Sequence, residues 1–525
     1  MRRFLLGSSL FCATAIAISL PVMPANAAEY TDLLDAADDF DDFEKETYDP
    51  FDFNLEPSFR YDMSSAKISR EAPCVPSRSD YAGEPAVLNN PRLVEGQGRC
   101  ASPQMVYNRE MDYEYTQSTF NLALRAGLYK DLELRIDVPY VIGSSSSLKY
   151  AEGVDATNSS VNPSNERVNA DARNVFTRGN PNGANLREFD GFSMYRYFDL
   201  ANDGTSYERS GFADPSISLG WAPFNDQRDD TKATLMLGME YTMPIAPIKR
   251  ADNDAVGQGQ HLLHWKIASS KQFDWINPYF GLEYFLPLLA SDSPMRKSYP
   301  GNNGQVIKNA PMRGDITVGT EFIPFEDAVT GARYAIDLRF TMGYVSEGRD
   351  YTPLFDHLAN SECNRKTLDQ VMPQFDGSGN LTNPADVACA WIVQEPGNAS
   401  PNAAYDLSTT PGNTPFQTDG LMTVEDYATF AGQLGVYLQP TKYFQLNALV
   451  SLKHRQEHFL TNARTGRDAS DAQEVTPDNT VDLTGPDAAL ERNPTYNATL
   501  DSSGNRFRVQ EYNTWSFLIN AALQF

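Results

Sequence analysis

The last stretch of the chain alternates between apolar and polar side chains, and this pattern restricts the fold more than any other feature. From Trp515 the odd positions are Trp, Phe, Ile, Ala, Leu and Phe, and the even positions are Ser, Leu, Asn, Ala and Gln. A period of two places the two sets on opposite faces of a β-strand. About ten residues at about 3.3 Å each, tilted by about 40°, cross a hydrocarbon layer about 25 Å thick. The pattern therefore predicts a strand with one face in lipid, and the edge strand of a soluble sandwich is the alternative.

The same stretch ends on an aromatic residue, Phe525. An alternating strand that stops at a terminal Phe resembles the C-terminal signal strand of bacterial outer-membrane β-barrels. The resemblance implies a Gram-negative outer membrane and recognition by the barrel-assembly machinery. The residues expected to form this insertion signal are Trp515, Phe517 and Phe525.

Composition agrees with a barrel and argues against two other classes of protein. Only 41% of the 525 residues are hydrophobic, as expected when alternate strand residues meet lipid while loops and lumen meet water. After the first 27 residues no apolar run is long enough for a membrane-spanning helix. The net charge of −26 argues against nucleic acid as a partner.

The N-terminus reads as an export signal followed by an acidic segment. Residues 1–27 combine Arg2 and Arg3 with an apolar core and the small-residue site Ala25-Asn26-Ala27, which is typical of a secretory signal peptide. Residues 28–50 hold ten acids against one lysine. We expect a short periplasmic helix or a disordered tail there, with a plug or docking peptide as the alternative.

Four cysteines follow the signal peptide and fall into two pairs, each 26 residues apart. In an oxidising compartment the natural pairing is Cys74–Cys100 and Cys363–Cys389, although two other connectivities are open. Because the chain has no CxxC motif and no His at ligand spacing beside these cysteines, we expect no metal site. No cofactor is expected either.

Alternation and turn residues predict an all-β fold, an antiparallel transmembrane barrel of about 12 strands over residues 51–525. Short connections alternate with long ones, so we expect short periplasmic turns and extracellular loops at 63–110, 144–211, 347–427 and 457–505. Ten or fourteen strands remain compatible with the pattern. The predicted strands are Phe51–Asp62, Asp112–Leu128, Leu132–Tyr140, Phe212–Ala222, Thr231–Met243, Gln260–Phe273, Ile276–Leu288, Arg313–Ile323, Arg333–Ser346, Thr429–Gln439, Tyr443–Arg455 and a closing strand at the C-terminus.

Charged residues of both signs fall on the predicted inward faces. They either satisfy a polar interior without selecting a solute, or form a charged constriction that selects what diffuses through. The lumen-lining candidates are Arg125, Glu133, Arg135, Asp137, Glu240, His264, Lys266, Glu283, Glu321, Asp337, Arg339 and Lys453.

Sequence motifs for catalysis are lacking. The chain contains no GxSxG, no HExxH and no Gly-rich phosphate loop. Of its five His residues, His264 and His454 are expected to face the lumen. We predict no catalytic residues and no enzymatic activity.

Three sequence segments that flank turns share one pattern. A strand ends, a tight turn follows, and a proline stands where the chain leaves the bilayer. They are RAGLYKDLELRIDVPY at 125–140, EYTMP at 240–244 and EYFLP at 283–287. Proline fits there because it cannot donate to an interior ladder. Strands 120–345 resemble the outer-membrane transporters of the MetA pathway of phenol degradation. The resemblance implies passive uptake of small, aromatic or hydrophobic molecules and carries over no catalytic residues.

Two functions are therefore expected in order of preference. The first is an outer-membrane channel or transporter for small-molecule solutes. The alternative is a structural or adhesive surface barrel whose extracellular loops bind partners. In both cases the expected surroundings are outer-membrane lipid and lipopolysaccharide, which acidic loop clusters could contact through divalent ions.

Overall fold

A computed structural model describes most of the barrel and omits its longest connections. The described residues are 53–74, 104–129, 131–155, 204–226, 229, 231–250, 253–295, 307, 309–327, 330–359, 376–377, 420–441, 443–461 and 506–524. The predicted signal peptide, the acidic segment, Cys100, Cys363, Cys389 and Phe525 lie outside these ranges, as does the side chain of Cys74.

Nearly all of the described chain belongs to one antiparallel sheet of seventeen strands. Within the described ranges, no helix has the length and apolar character needed to cross a lipid bilayer. The strands are β1 Phe53–Cys74, β2 Gln104–Tyr129, β3 Leu132–Tyr150, β4 Thr205–Phe212, β5 Ser216–Phe224, β6 Thr234–Thr242, β7 Gln260–Ser270, β8 Ile276–Leu289, β9 Arg313–Asp327, β10 Ala332–Val345, β11 Gly348–Asp350, β12 Met422–Val424, β13 Tyr427–Thr441, β14 Phe444–Arg455, β15 His458–Thr461, β16 Phe507–Val509 and β17 Tyr512–Gln524; one short helix, α1, covers Phe355–Ala359.

The sheet closes because its first and last strands pair. Phe59 of β1 lies opposite Phe120 of β2 on one side and opposite Ile519 of β17 on the other. The strands β4 and β5 both pair with β3 and together form one wall strand. The short strands β11, β12, β15 and β16 pair with one another beyond the main ring. The wall thus has twelve strands, which confirms the predicted fold class.

An apolar belt covers the outside of the barrel. On β10 six alternate residues from Tyr334 to Tyr344 are each between 36% and 54% exposed, and an aromatic residue stands at both ends. Ten residues of tilted strand span about 25 Å, the height of the apolar band of outer-membrane barrels. Because no protein covers these side chains and every wall strand is paired, the belt faces lipid. The protein is an outer-membrane β-barrel.

The predicted loop boundaries are wrong at one end of the barrel, where the strands continue far beyond the belt. The proposed loop 63–110 contains the end of β1 and the beginning of β2, and loop 144–211 contains the end of β3 and nearly all of β4. Loop 347–427 contains β11, α1 and β12, and loop 457–505 contains β15. These segments lack an outward apolar face, which is the signal that the strand predictions used.

The polarity of the two faces is reversed in these extensions. Within the belt the inner face of β1 carries Glu56 and Asp62, whereas beyond the belt the same face carries Ala66 and Ile68, which are buried. The outer face beyond the belt is polar, as at Lys67. We call this part of the barrel the outer extension. It has a hydrophobic interior and a polar exterior, as in a water-soluble β-barrel.

On the inner wall, at the level of the belt, the side chain of one tyrosine passes over the backbone of a glycine on the next strand. Tyr279 of β8 lies opposite Gly319 of β9, and its ring covers that glycine on the way to Asp337 and Arg339 of β10. A Cβ atom at Gly319 would lie 2.3 Å from the Tyr279 ring. The glycine therefore provides the space that lets the tyrosine reach the second strand along.

We expect Gly319→Ala to destabilise the barrel by about 1–3 kcal/mol, the usual cost of overpacking a close contact. Gly432→Ala is the matched control, because a Cβ atom there meets nothing within 4 Å. Thermal unfolding of the two variants in detergent would measure the difference. Equal loss of stability in both would show that Tyr279 does not occupy the space above Gly319.

Candidate functional site: the barrel lumen and its outer closure

The structure places all twelve lumen candidates on the inner face of the wall, where their side chains are buried or partly buried. They form four groups around the ring rather than one ring of charges. The sequence did not identify several of their partners, Glu56, Tyr279, Arg313, Asp315 and Arg333. The last four lie in the same alternation phase as the candidates on their strands, and Glu56 lies on the polar face of the predicted strand Phe51–Asp62. This phase was the signal available.

The first group lies on β1, β2 and β3. Arg125 Nε lies 2.7 Å from Glu56 Oε1 and 3.7 Å from Glu133 Oε1. Arg135 lies 3.4 Å from Glu56 and donates a 2.7 Å hydrogen bond from Nε to Asp137 Oδ2. Glu56 thus joins the two arginines across three strands. Removing one member of such a buried group leaves an uncompensated charge.

The second group consists of Tyr279, Asp337 and Arg339. Arg339 Nη2 lies 3.0 Å from Asp337 Oδ2, and Arg339 Nε donates a 2.8 Å hydrogen bond to the Tyr279 hydroxyl. That hydroxyl donates to Asp337 Oδ1. Asp337 is fully buried, so this group packs the wall instead of projecting into open space.

The third group places a histidine between two carboxylates. His264 Nδ1 lies 3.1 Å from Glu240 Oε2, and its Nε2 lies 2.9 Å from Glu283 Oε2. The ring stacks on Phe285 with centroids 4.1 Å apart. Lys266 lies opposite Glu283 on the neighbouring strand. The acids of this group therefore have basic neighbours on β7.

The fourth group contains the remaining candidates, Glu321 and Lys453. Arg333 Nη2 lies 2.9 Å from Glu321 Oε2. Arg313 Nη2 lies 2.8 Å from Asp315 Oδ2, and Lys453 lies close enough to both to interact electrostatically. Charges of opposite sign thus pair both across strands, as Arg333 with Glu321, and along one strand, as Arg313 with Asp315.

The chain after β10 folds back into the outer extension and fills it. Leu354 and Leu358, on either side of the α1 start, pack in one buried cluster with Leu148 of β3 and Val345 of β10. The strands β3 and β10 do not pair, so the cluster extends across the interior. We call residues 347–359 the closing segment.

A buried carboxylate holds the closing segment to the wall. Asp356 accepts a 3.0 Å hydrogen bond from Arg209 Nε of β4 and a 2.9 Å hydrogen bond from the Ser146 hydroxyl of β3. Lys249 Nζ lies 3.8 Å from the same carboxylate and 5.0 Å from the centre of the Phe355 ring. The closing segment is also held by the Tyr351 hydroxyl, which donates a 3.0 Å hydrogen bond to the Lys249 carbonyl oxygen, and by the pairing of β11 with β12. Asp356 is its charged attachment to the wall, beside an apolar contact.

Three acid or base groups of the closing segment have shifted pKa values. Burial opposes ionisation of Asp356, but Lys249 and Arg209 together lower its pKa to about 2. Burial lowers the pKa of His357 from the ordinary value of 6.5 to about 4, against the influence of Asp356. Burial raises the pKa of Asp350 to about 7.

A cavity lies beside the closing segment and opens into the lumen. It has about 1080 Å³ of empty space, part of it open to solvent. Apolar side chains make much of its wall, and its charged lining residues are Asp137, Asp214, Glu240, Arg313 and Asp350. Residues that decide its chemistry are Val141, Leu262, Phe285, Glu240, Arg313 and Asp350. Among the described residues, no group of three or more His, Cys, Asp or Glu side chains could hold a metal ion.

Comparisons with known proteins find only distant likenesses in structure. No protein-family model matches the sequence, and no curated protein matches it significantly. An outer membrane channel from Pseudomonas putida F1 shares 9% identity, with 92% of this chain and 98% of that chain covered and a TM-score of 0.31. A Pseudomonas aeruginosa FadL homologue shares 8% identity, covering 90% of each chain at a TM-score of 0.27. The outer membrane protease OmpT from Escherichia coli shares 7% identity, with 92% of this chain and 99% of that chain covered and a TM-score of 0.25. Likenesses this weak do not establish a function.

We expect acid to loosen the closing segment through His357. Its pKa is depressed in the closed state, so the released state binds the proton more tightly, and closure weakens as the pH falls from 6.5 to 4. The full shift corresponds to at most about 3 kcal/mol. Asp350 acts in the opposite direction, because a raised carboxyl pKa favours the closed state at low pH.

An Asp350→Asn background isolates the His357 effect. Protection of the α1 amides from hydrogen exchange should fall between pH 6.5 and pH 4 in Asp350→Asn, and this fall should disappear in Asp350→Asn/His357→Phe. An identical pH response in both variants would contradict a role for His357.

Proposed function

We propose that this protein is a passive outer-membrane channel for small solutes and has no enzymatic activity. The observation that carries the proposal is the cavity inside a charged lumen, next to a closing segment whose Asp356 carboxylate accepts hydrogen bonds from Arg209 and Ser146. The cavity combines apolar side chains such as Leu262 and Phe285 with a few charged ones, which is the lining that small-molecule sites in proteins commonly have.

The polar groups of the lumen support the passage of small molecules rather than of large ones. Twelve strands enclose a narrow interior, and the four charged groups occupy much of it. Paired charges on the wall give a passing polar group alternative hydrogen-bond partners at successive depths. This arrangement favours slow, selective diffusion over the free flow of a wide water-filled pore.

The closing segment supports a gate at the outer end. Its release would remove Leu354 and Leu358 from the interior while leaving every wall strand paired with its neighbours. Asp356 is the contact that decides the balance, because it is the carboxylate on which Arg209, Ser146 and Lys249 converge. A two-state segment of this kind lets a barrel be closed most of the time and still admit solutes.

The apolar wall of the cavity supports aromatic or hydrophobic solutes, as the sequence resemblance implied. Phe285 and Leu262 supply apolar surface, and Arg313 lies over the Phe285 ring with its guanidinium carbon 4.0 Å from the ring centre. Membership of the phenol-degradation transporter family stays a prediction. The proposed surroundings, lipopolysaccharide and the barrel-assembly machinery, are predictions as well.

A second function, a structural or adhesive surface barrel, is favoured by one observation. The outer end of the lumen is filled by a hydrophobic cluster that extends from wall to wall. If the closing segment never leaves, solutes cannot pass, and the loops beyond the outer extension would carry the function. The two functions differ in whether the closing segment can be released.

Single-channel recording in planar bilayers distinguishes them. Asp356→Ala removes the charge partner of Arg209. Loss of one member of a buried ion pair should destabilise the closed state by about 3 kcal/mol or more, and so raise the open fraction roughly a hundredfold. Wild type should show rare openings, and the variant should show frequent ones of the same conductance.

Glu114→Ala is the control, because Glu114 lies on the exposed face of the outer extension, paired with Lys149. It should leave the open fraction unchanged. If neither wild type nor Asp356→Ala conducts ions or admits small solutes into liposomes, the channel proposal is wrong and the surface barrel is favoured.

A further inference from the structure

One buried acid in the cavity wall has no cation of its own. Asp350, at the end of β11, is 4% exposed and lines the cavity. Its Oδ1 accepts a 2.8 Å hydrogen bond from the backbone N–H of Tyr351. In the described part of the chain it forms no ion pair. A buried carboxylate without a charge partner is costly to the fold and is kept where it has a use.

The cations nearest to Asp350 are engaged elsewhere. Arg455 of β14 donates to the Tyr512 hydroxyl at 3.2 Å and lies over the Tyr427 ring. Lys249 lies against Asp356 and the Phe355 ring. Arg455 and Lys249 act on Asp350 only through the field, since neither makes a contact with it. Because Asp350 lines the cavity, a cation inside the cavity is the partner left for its carboxylate.

Five charged side chains line the cavity, and the four besides Asp350 have partners in the described chain. Asp214 accepts hydrogen bonds of 3.0 Å and 2.9 Å from the backbone N–H groups of Ala246 and Gln258. Arg313 is neutralised by Asp315 at 2.8 Å, and Asp137 by Arg135 at 2.7 Å. Glu240 shares His264. Phe285, Leu262, Val141 and two prolines, Pro139 and Pro287, line the same cavity. Among the described residues, Asp350 and Asp214 are the carboxylates of this cavity that form no ion pair, and Asp350 is the more deeply buried of the two.

We propose that the cavity binds a small amphipathic amine, with its ammonium group on the Asp350 carboxylate and its apolar body against Phe285 and Leu262. This names the solute class of the proposed channel and so rests on that function. Charge-assisted hydrogen bonds are the strong ones in a site with little water. An anionic solute would be repelled by the Asp350 carboxylate, and a neutral solute would leave that carboxylate without a cation.

The proposal also specifies a dependence on pH. Burial raises the pKa of the Asp350 carboxyl to about 7, so the group is mostly neutral at pH 5.5 and mostly ionised at pH 8. An alkyl ammonium stays charged over this range. The groups that act on Asp350 through the field are Arg455, Lys249 and Tyr427, and Asp137, Asp214, Glu240 and Arg313 share the cavity wall with it. Burial lowers the pKa of Lys249, and protonation of Lys249 or of another carboxylate of this wall would also weaken amine binding at low pH. The pH dependence is therefore assigned to Asp350 only if it is lost in Asp350→Asn.

Binding of three matched probes to the purified full chain in detergent tests the site by isothermal titration calorimetry. The probes are 2-phenylethylamine, 2-phenylethanol and phenylacetate. At pH 8 the amine should bind at least about tenfold more tightly than the other two, the value of one charge-assisted hydrogen bond. Asp350→Asn should reduce the amine to the affinity of the alcohol, while Glu114→Gln should leave it unchanged.

With Asp350→Asn as the comparison, the wild-type protein provides a second measurement. Its affinity for the amine should fall about thirtyfold from pH 8 to pH 5.5, because the proton competes for Asp350. Equal affinity for the three probes, tighter binding of phenylacetate, or an amine affinity independent of pH would each overturn the proposal.

The outcome of the amine-binding experiment can be distinguished from the outcome of the conductance experiment. Conductance without amine selectivity would remove the solute class and keep the channel. Amine binding that is lost in Asp350→Asn, in a protein that never conducts, would keep the site and remove the channel.

Discussion

The structure depends on one constraint, that no backbone N–H or C=O group may remain unpaired in hydrocarbon. A sheet meets this condition only when its edges join, and here they join through the pairing of β1 with β17. Once the ring is closed, each strand has one face in lipid and one face in the interior. The apolar belt on the outer face and the buried charged groups on the inner face both follow from this closure. The polar interior then needs internal partners, which opposite charges supply, both between neighbouring strands and along one strand.

The same ring continues into water, and there its requirements are reversed. In the outer extension the hydrophobic residues turn inwards and form the buried cluster around Leu354 and Leu358. The change of polarity takes place along single strands, as from Asp62 to Ile68 on β1, while β2 stays the pairing partner on one side. On the other side the partner changes from β17 to β16. The part of the barrel that lies in lipid and has a polar interior thus joins directly to a part that lies in water and has a hydrophobic interior. Asp356 and its partners lie at the outer part of this junction, where a charged group can still be hydrogen-bonded on several sides.

The sequence predicted the membrane part of the fold well, because lipid selects a repeating pattern that can be read residue by residue. The twelve wall strands and the inward position of residues such as Arg135 and Asp337 follow from a period of two. The outer extension was missed, because strands with a polar outside and a mixed inside, such as Ser144–Tyr150, read as loop. The helix α1 and the cavity could not be predicted, since both depend on contacts between residues far apart in the chain, such as Arg209 with Asp356. The importance of Asp350 likewise depends on which cations already have partners, and only coordinates give that information.

The length of β1 has a consequence for the surface of the cell. From Met63, at the edge of the belt, to Cys74 the strand runs eleven further residues, which at the usual rise and tilt lifts the rim about 25–30 Å above the hydrocarbon. Such a rim stands clear of the lipid headgroups and of the phosphates crowded among them. With the long connections on the extracellular side, as the sequence predicts, a molecule arriving from the medium would meet the protein well before it met the membrane. It would do so in a zone where the anionic lipid surface no longer sets the local ion concentrations.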